Sequence, residues 1–298
     1  MNVLSLFDGM SCGQIALDEL GIEVDNYYAS EIEDEAIKVT QNNFPKTIQL
    51  GDIKKLTNEE LDKLPKIDMV IGGSPCKDLS IAMKDRKGLR GPKSSLFFEY
   101  LRILEYIDPK YFLLENVGRM KQSDKDVITH FLGAEPIKIN SKLVGPALRG
   151  RLYWTNIPVD GKPKDKGIKL QDKLDNGYTD REKARAILAS ESRPLRTPVK
   201  MFHRYYSTGF TTVIFKDKQH YLDCVNHYEE NYSDKSAREI ECDSDVYNGV
   251  RYLNQRELER MQTVPEGYTD CLTRNQAAKV LGNGWTVDVI KHIFKNLE

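Results

Sequence analysis

Cys76 is the side chain best placed in this sequence to act as a nucleophile. It follows the largely apolar run Ile67–Gly72 and the turn Ser74-Pro75, so it is expected where a buried strand ends. Ligands of open α/β sheets bind outside the carboxyl ends of the strands, and a thiolate is a strong nucleophile once a nearby positive charge lowers its pKa. A single cysteine beside an apolar strand is more often a small buried hydrophobic residue, so other residues must decide between these two interpretations.

A glutamate, Glu115, follows a second apolar run, Tyr111–Leu114, at the predicted end of another strand. Burying a charged carboxylate is costly, so a glutamate in this position is hydrogen-bonded, protonated or functional. Taken alone, the residue leaves function and structure equally open.

The N-terminal segment has the pattern of a strand, a glycine-bearing loop and a helix. Asn2–Phe7 predicts a short buried strand, and Gln14–Leu20 predicts a helix. Glu31 follows the loop at about the spacing of a carboxylate that binds ribose hydroxyls. Only Gly9 and Gly13 stand in the loop, which is too few for a pyrophosphate-binding G-x-G-x-x-G, so the pattern favours a nucleoside cofactor without phosphate, of which S-adenosylmethionine is the obvious one. The alternative is an ordinary tight turn in an unrelated α/β protein.

Five short motifs, in the same order along the chain, resemble those of the DNA (cytosine-5)-methyltransferases. They are Phe7-Asp8-Gly9, Ser74-Pro75-Cys76, Glu115-Asn116-Val117, Arg149-Gly150-Arg151 and Gly282-Asn283-Gly284. Their wording is closest to the catalytic domains of the eukaryotic de novo DNA methyltransferases, whereas the length of 298 residues is more similar to a bacterial or phage enzyme. The resemblance covers residues 1–158 and about 249–298. It implies a Rossmann-like α/β fold, that of the S-adenosylmethionine-dependent methyltransferases, with a smaller target-recognition domain inserted.

The resemblance also implies a reaction, DNA (cytosine-5)-methylation, and a role for each catalytic residue. Cys76 would add as a thiolate to carbon 6 of a flipped-out cytosine, which makes carbon 5 reactive toward the methyl group. Glu115 would bind the N3 and amino edge of the base. Arg149 and Arg151 would face the O2 side of the base, stabilise developing charge and lower the pKa of the thiol.

For the cofactor, the resemblance assigns the loop after the first strand to the methionine end and two later segments to the ribose and adenine. The implied contacts are Phe7, Asp8, Gly9, Met10, Ser11, Glu31, Ile32, Asp52, Ile53, Pro75, Leu96, Asn283 and Trp285. Two positions depart from the pattern of many family members, which have a glycine pair at Ser11 and Cys12 and a glutamine at Ala147. We interpret these departures as subfamily features.

Positive charge is concentrated in the middle of the chain. Residues 138–210 contain 16 Lys/Arg and 7 Asp/Glu, although the whole chain has a net charge of −1. Such a basic band is typical of a phosphate-binding surface, so double-stranded DNA is the predicted partner. The predicted DNA contacts are Lys84, Arg86, Lys87 and Arg90, in a glycine-containing loop after Cys76, and Arg204. Arg204 and the Ser207-Thr208-Gly209 turn could reach bases in the major groove, where arginine favours guanine, and the alternative for Arg204 is contact with phosphate or solvent. The alternative is that these charges are only solvated, and the acidic stretch Asp223–Asp245 is expected to face away from DNA.

The predicted organisation is a discontinuous catalytic domain, 1–158 and 249–298, around a target-recognition domain, 159–248. Within the insert, Thr211–Phe215 and Tyr221–Val225 predict short strands. After it, the apolar spacing predicts three helices, and Asn283 is expected on the loop between the last two. The predicted helices are Val250–Met261, Gln276–Leu281 and Val287–Leu297.

Several classes of protein are disfavoured by composition. No apolar run approaches the ~20 residues of a membrane span, and the N-terminus lacks the pattern of a signal peptide, so a cytoplasmic protein is expected. Five cysteines without a C-x-x-C pair favour reduced thiols and no structural metal. Two alternatives to the DNA enzyme stay open: an RNA cytosine-5 methyltransferase, and a catalytically inactive DNA-binding relative.

Overall fold

The computed structural model describes residues 1–75, 96–187, 197–240 and 244–298 of the chain. These residues form two compact units. The first unit comprises Met1–Ser141, Gly150–Lys164 and Gly284–Glu298, and the second comprises Lys142–Arg149 and Asp165–Asn283. The contacts therefore assign residues 142–149 and 249–283 to the second unit, whereas the predicted division assigned them to the catalytic domain. The functional roles given to the three predicted segments stay predictions.

The first unit is built on a sheet of seven strands within the described residues. In spatial order the strands are β3 (Ile48–Gln49), β2 (Asn26–Ser30), β1 (Asn2–Leu6), β4 (Met69–Gly72), β5 (Tyr111–Val117), β7 (Gly150–Thr155) and β6 (Ile137–Asn140). The first five strands pair in parallel, and β7 pairs antiparallel with both neighbours. The order reverses at β1, where Leu6 is in register with Ser30 of β2 and Gly72 of β4. Such a switch point is where open α/β sheets bind ligands.

Helices accompany this sheet because parallel strands with two apolar faces need cover on both sides. They are α1 (Cys12–Glu19), α2 (Asp34–Asn43), α3 (Asn58–Leu61), α4 (Leu96–Ile107), α5 (Gln122–Leu132) and α10 (Val287–Phe294). Helices α1 and α10 pack together, although their sequences lie at opposite ends of the chain. Buried strand residues such as Leu4, Val70 and Leu114 share one core with Tyr100 and Trp154. The α/β fold predicted from the sequence is confirmed.

The second unit is mainly helical and has an aromatic core. Its longer helices are α6 (Pro198–Thr208), α7 (Lys218–Asn231), α8 (Gln255–Met261) and α9 (Arg274–Asn283). Phe202 lies at the centre of the core, with its ring 5.3 Å from those of Tyr228 and Tyr247 and 6.0 Å from that of Phe215. Tilted and edge-on aromatic pairs of this kind stabilise a core beyond the area that they bury.

The segment Lys142–Arg149 belongs to the second unit through backbone hydrogen bonds. The Leu148 amide donates to the Ala184 carbonyl, and the Ala184 amide donates to Pro146, both at 2.8 Å. The Lys183 ammonium also donates to the carbonyl oxygens of Lys142 and Gly145. The chain then leaves this unit between Arg149 and Gly150, where β7 of the first unit begins.

Two predicted strands of the insert are wrong. Tyr221–Val225 lies inside α7, which Asp217 caps by accepting a hydrogen bond from the His220 amide at 2.8 Å. Thr211–Phe215 forms isolated bridges at Ile214 and Phe215 and no ladder. The physical reason in both places is that the apolar side chains are buried by aromatic packing of the helices rather than by a sheet.

Four smaller boundaries also differ from the predictions. Glu115 lies within β5 rather than at its end, because pairing with β7 extends the strand to Val117. Helix α8 begins at Gln255 rather than Val250, with Asn254 as its N-cap. Asn283 is the last residue of α9 rather than a loop residue, and the predicted Ser207-Thr208 turn is the last turn of α6. No helix within the described ranges is long and apolar enough to cross a membrane.

Candidate active site

The loop after β1 is held in a strained conformation by Glu31. Phe7, Gly9 and Ser11 have φ angles of 57°, 62° and 59°, the left-handed region. The Gly9 amide donates to Glu31 Oε2 at 2.8 Å, while Glu31 Oε1 accepts the amides of Ile32 and Glu33 at 2.7 and 2.9 Å. One carboxylate therefore ties this loop to the turn after β2. No described atom lies within 4 Å of a Cβ placed on Gly9, so the loop has open space on that side.

Within the described part of the chain, Asp8 is anchored by neutral donors. Its carboxylate accepts hydrogen bonds from the hydroxyl of Ser11 and, at 2.9 Å, from that of Tyr27. Burial raises the pKa of Asp8 to about 6, against the lowering effect of the hydrogen bonds from Ser11, Ser5 and Tyr27. Met10 and Ser11 are fully buried, backbone and side chain alike, so in this loop the accessible surface is that of Phe7, Asp8 and Gly9.

The turns after β2 and β3 complete this edge of the first unit. Ile32 is 65% exposed and offers an apolar surface, whereas Ile53 is buried. Asp52 Oδ1 accepts the Lys54 amide at 3.0 Å and so caps a short 3-10 turn, and the Ser30 hydroxyl donates to the Gly51 carbonyl at 2.7 Å. Open backbone, a carboxylate and an exposed apolar side chain fit a nucleoside ligand with a cationic sulfonium.

Glu115 is the buried carboxylate of the site. Its Oε1 lies 2.7 Å from Arg151 Nε, and its Oε2 accepts the indole N–H of Trp285 at 3.1 Å. Val117 and Arg151 are register partners, which explains why β7 carries the arginine next to the end of β5. Oε1 is itself buried, and among the described residues no group makes a well-aligned hydrogen bond to it. The ion pair therefore leaves one carboxylate oxygen with spare accepting capacity.

Asn116, which our prediction of site residues did not include, holds the turn that leads to Cys76. Its side-chain amide donates to the hydroxyl and carbonyl oxygens of Ser74 at 3.1 and 3.4 Å, and its Oδ1 accepts the Val117 amide. The only sequence signal for this role was the position of Asn116 directly after Glu115. Pro75 is half-buried, and Cys76 lies outside the described residues.

The remaining predicted residues lie against the core of the first unit, in the second unit, or outside the described residues. Phe7 and Leu96 pack against the core of the first unit. Arg149 and Asn283 belong to the second unit, where Arg149 Nη1 donates to the Gly282 carbonyl at 3.0 Å and Asn283 is exposed. Arg204 is half-buried on α6. Four predicted DNA contacts lie, like Cys76, outside the described residues: Lys84, Arg86, Lys87 and Arg90.

The chain belongs to the C-5 cytosine-specific DNA methylase family, whose sequence profile matches residues 1–133 and 158–298. The family predicted from the five motifs is thereby confirmed. An orphan methyltransferase, M.Rho11sI, of Bacillus phage rho11s is 36% identical over 127 residues, which are 42% of this chain and 24% of that protein. The type II methyltransferase M.FnuDI of Fusobacterium nucleatum is 36% identical over 136 residues, 44% of this chain and 38% of the relative.

A plant relative and two solved structures extend this comparison. The DNA (cytosine-5)-methyltransferase DRM2 of Arabidopsis thaliana is 40% identical over 118 residues, 36% of this chain and 19% of the relative. The chain thus spans less than two fifths of the length of these curated relatives. A DNMT2 variant from Spodoptera frugiperda and the Dnmt2 methyltransferase of S. pombe share the fold with TM-scores of 0.70 and identities of 20% and 17%, covering 99% of this chain and 99% and 97% of theirs.

Proposed function

We propose that this chain transfers the methyl group of S-adenosyl-L-methionine to carbon 5 of cytosine in double-stranded DNA. The observation that carries this proposal is the buried Glu115 carboxylate, held by Arg151 and Trp285 beside the Ser74-Pro75 turn that leads to Cys76. Family membership supports the same reaction. Because the chain matches only part of its curated relatives, activity, substrate and partner are all proposals.

The cofactor would be held along the turns that follow β1, β2 and β3. The loop Phe7–Ser11 would take the methionine end, Glu31 with Ile32 the ribose and adenine, and Asp52 with Ile53 the adenine. Bound there, S-adenosyl-L-methionine supplies an electrophilic methyl group and leaves as S-adenosyl-L-homocysteine. Pro75, Leu96, Asn283 and Trp285 are proposed to close around it.

Cys76 would begin the reaction as a thiolate. Its sulfur forms a bond to carbon 6 of the cytosine, and the ring electrons shift so that carbon 5 becomes the nucleophile. Once carbon 5 carries the methyl group, a base removes the proton from that carbon. The electron pair of the broken C–H bond restores the C5–C6 double bond and expels the Cys76 thiolate.

Glu115 would recognise the cytosine by its polar edge. The spare accepting capacity of Oε1 fits the amino N–H of the base, and the carboxyl group can share a proton with N3 as carbon 6 is attacked. Arg151 would hold the carboxylate and stabilise charge at O2, with Arg149 as a second cation. Because these atoms are inaccessible in a stacked duplex, the cytosine must be flipped out, at a cost of a few kcal/mol.

DNA would be held by basic side chains. Lys84, Arg86, Lys87 and Arg90 are proposed to bind phosphates next to the flipped base, and Arg204 to contact the duplex from the second unit. Biological roles consistent with this reaction are restriction-modification, protection of phage DNA and gene regulation.

The test is nucleoside mass spectrometry after incubation with S-adenosyl-L-methionine. Unmethylated genomic DNA and transfer RNA are treated in parallel with wild-type protein and with a Cys76→Ala variant. We expect 5-methylcytosine in DNA with the wild type and none with the variant. Product in RNA alone would replace the proposal by an RNA methyltransferase, and product that persists in the variant would exclude the covalent mechanism. No product with either substrate would favour an inactive relative.

A further inference from the structure

Trp285 makes its polar contact with Glu115. Its indole Nε1 donates to Glu115 Oε2 at 3.1 Å, and the side chain is 9% exposed. The resemblance to the family had suggested only a cofactor contact for this residue. A hydrogen bond to a buried carboxylate is stronger than one between neutral groups, so this contact restricts the carboxylate.

Gly73 makes room for this contact. A Cβ on Gly73 would lie 2.9 Å from Trp285 Nε1 and 3.1 Å from Glu115 Oε2, closer than ordinary packing allows. The backbone before Ser74-Pro75, the carboxylate on β5 and the indole therefore meet at one point. Any side chain at position 73 would push the indole and the carboxylate apart.

The two oxygens of Glu115 have different partners. Arg151 Nε lies 2.7 Å from Oε1, and Trp285 Nε1 holds Oε2. The terminal torsion of a glutamate is broad and roughly two-fold, so a carboxylate with one cationic partner can rotate. A second donor on the other oxygen removes that freedom.

We propose that Trp285 is a positioning residue for Glu115: its indole N–H fixes the carboxylate plane so that Oε1 keeps its free accepting direction for the base. This inference rests on the proposed function for its catalytic consequence. The ring and the N–H have separable neighbours, since a Cβ on Gly13 would lie 3.6 Å from Trp285 Cζ3. A Trp285→Phe variant keeps an aromatic ring but loses the donor together with part of the ring, so it needs a control variant with the same loss of ring atoms.

The decisive experiment is a double-mutant cycle of Trp285→Phe and Glu115→Gln, measured on the steady-state methylation of DNA. Trp285→Phe alone is expected to lower kcat about 10-fold to 100-fold, the size of a lost hydrogen bond to a charged group, with KM for S-adenosyl-L-methionine changed less than about 2-fold. In the Glu115→Gln background the same change is expected to have little further effect, because the two residues act as one unit. Additive effects, or a raised KM with unchanged kcat, would overturn the proposal.

The control is Trp154→Phe. Trp154 is fully buried on β7, and its Nε1 donates to the Thr129 hydroxyl at 3.0 Å, so the variant loses an indole hydrogen bond and the same ring atoms without touching Glu115. We expect kcat to stay within about 2-fold of wild type, and thermal unfolding followed by circular dichroism shows whether both phenylalanine variants are folded.

The Trp154→Phe protein also separates this inference from the proposed function. It retains Trp285 as its single tryptophan, because the chain has two. Introducing Glu115→Gln into it is expected to shift the emission of Trp285 without any substrate, and unchanged emission would overturn the inference even if DNA is methylated. A shift in emission together with an inactive wild type would instead retain the contact and overturn both its catalytic role and the proposed function.

Discussion

Each unit contains a buried glutamate paired with an arginine, and the two pairs differ in how completely the carboxylate is bonded. In the second unit, Glu257 is 0% exposed, and its oxygens lie 2.7 and 2.9 Å from the two terminal nitrogens of Arg251. The same carboxylate accepts the amides of Asn254 and Asp175 at 2.8 and 3.1 Å. In the first unit, Glu115 has Arg151 and Trp285, and Oε1 has no well-aligned hydrogen bond from a described group.

The Glu257–Arg251 pair maintains the fold, whereas the Glu115–Arg151 pair can also bind a ligand. Buried polar atoms almost always find partners, so a carboxylate with four donors has no capacity left for a ligand. Arg251 also exchanges backbone hydrogen bonds with Ile214 and donates to the Asn176 carbonyl, so the saturated pair joins three parts of the second unit. The incompletely bonded Glu115 is the better candidate for contact with substrate.

The largest expected effect comes from making the same substitution in both pairs. Glu257→Gln should lower the free energy of unfolding by about 3–5 kcal/mol, because it breaks a buried ion pair and places an amide N–H₂ against existing donors. Glu115→Gln should cost about half as much stability and lower methylation about 100-fold or more. Urea unfolding and initial rates on DNA measure the two quantities. If Glu257→Gln proved stable but inactive, the distinction between the pairs would be wrong.

A smaller effect is expected at Asp8, a half-buried carboxylate of the first unit with hydroxyl donors and no described cation. Its pKa of about 6 lies above the ordinary 3.8, so the folded state holds the proton more tightly than the unfolded chain. The free energy of unfolding should therefore rise as the pH falls from about 6 to 4, and the ionised group is destabilising above 6. Asp8→Asn should stabilise the protein at pH 7 by about 1–3 kcal/mol and lose this advantage below about pH 4.

Denaturant unfolding of wild type and Asp8→Asn from pH 4 to pH 8 tests this sign. Tyr27→Phe removes the 2.9 Å hydrogen bond to Asp8 and should shift the transition of otherwise wild-type protein to higher pH. A stability difference independent of pH would mean that Asp8 does not titrate in this range.

The smallest expected effect concerns Arg204 on α6. If this side chain binds a phosphate, Arg204→Ala should weaken DNA binding on all sequences equally and reduce the salt dependence of log K by about one unit of slope. Fluorescence anisotropy at several salt concentrations measures this slope. The control is Arg238→Ala, an exposed arginine in the acidic stretch that is predicted to face away from DNA. Equal losses for both variants would indicate a general charge effect.

Sequence patterns predicted the elements of the first unit better than those of the second. Strands β1, β4 and β5 are buried on both faces, so they occur as short continuous apolar runs. In α7 the run Tyr221–Val225 has the composition of a strand, and the helical period becomes visible only when the buried Cys224 and Tyr228 are considered together. The predictions failed where a short window was used to assign a long helix.

Part of the candidate site could be predicted because motifs mark strand ends. Glu115, Arg151 and the loop Phe7–Ser11 lie in the first unit as the motifs indicated. The bond between Glu115 and Trp285 could not be predicted, since 170 positions separate them and nothing local encodes their meeting. Neither could the assignment of Arg149 to the second unit, because that depends on hydrogen bonds made by its preceding residues.

Four crossings between the units, after Ser141, Arg149, Lys164 and Asn283, determine how this protein can be recombined. In a chimaera that exchanges only residues 165–283, Lys183 and Ala184 come from one parent protein and Lys142–Arg149 from the other. The donor and the acceptor of each hydrogen bond between these segments would then come from different proteins. A functional exchange of the second unit therefore requires two grafts from the same parent, 142–149 and 165–283. The second unit is therefore a discontinuous structural module, and the eight residues Lys142–Arg149 belong to it as much as its helices do.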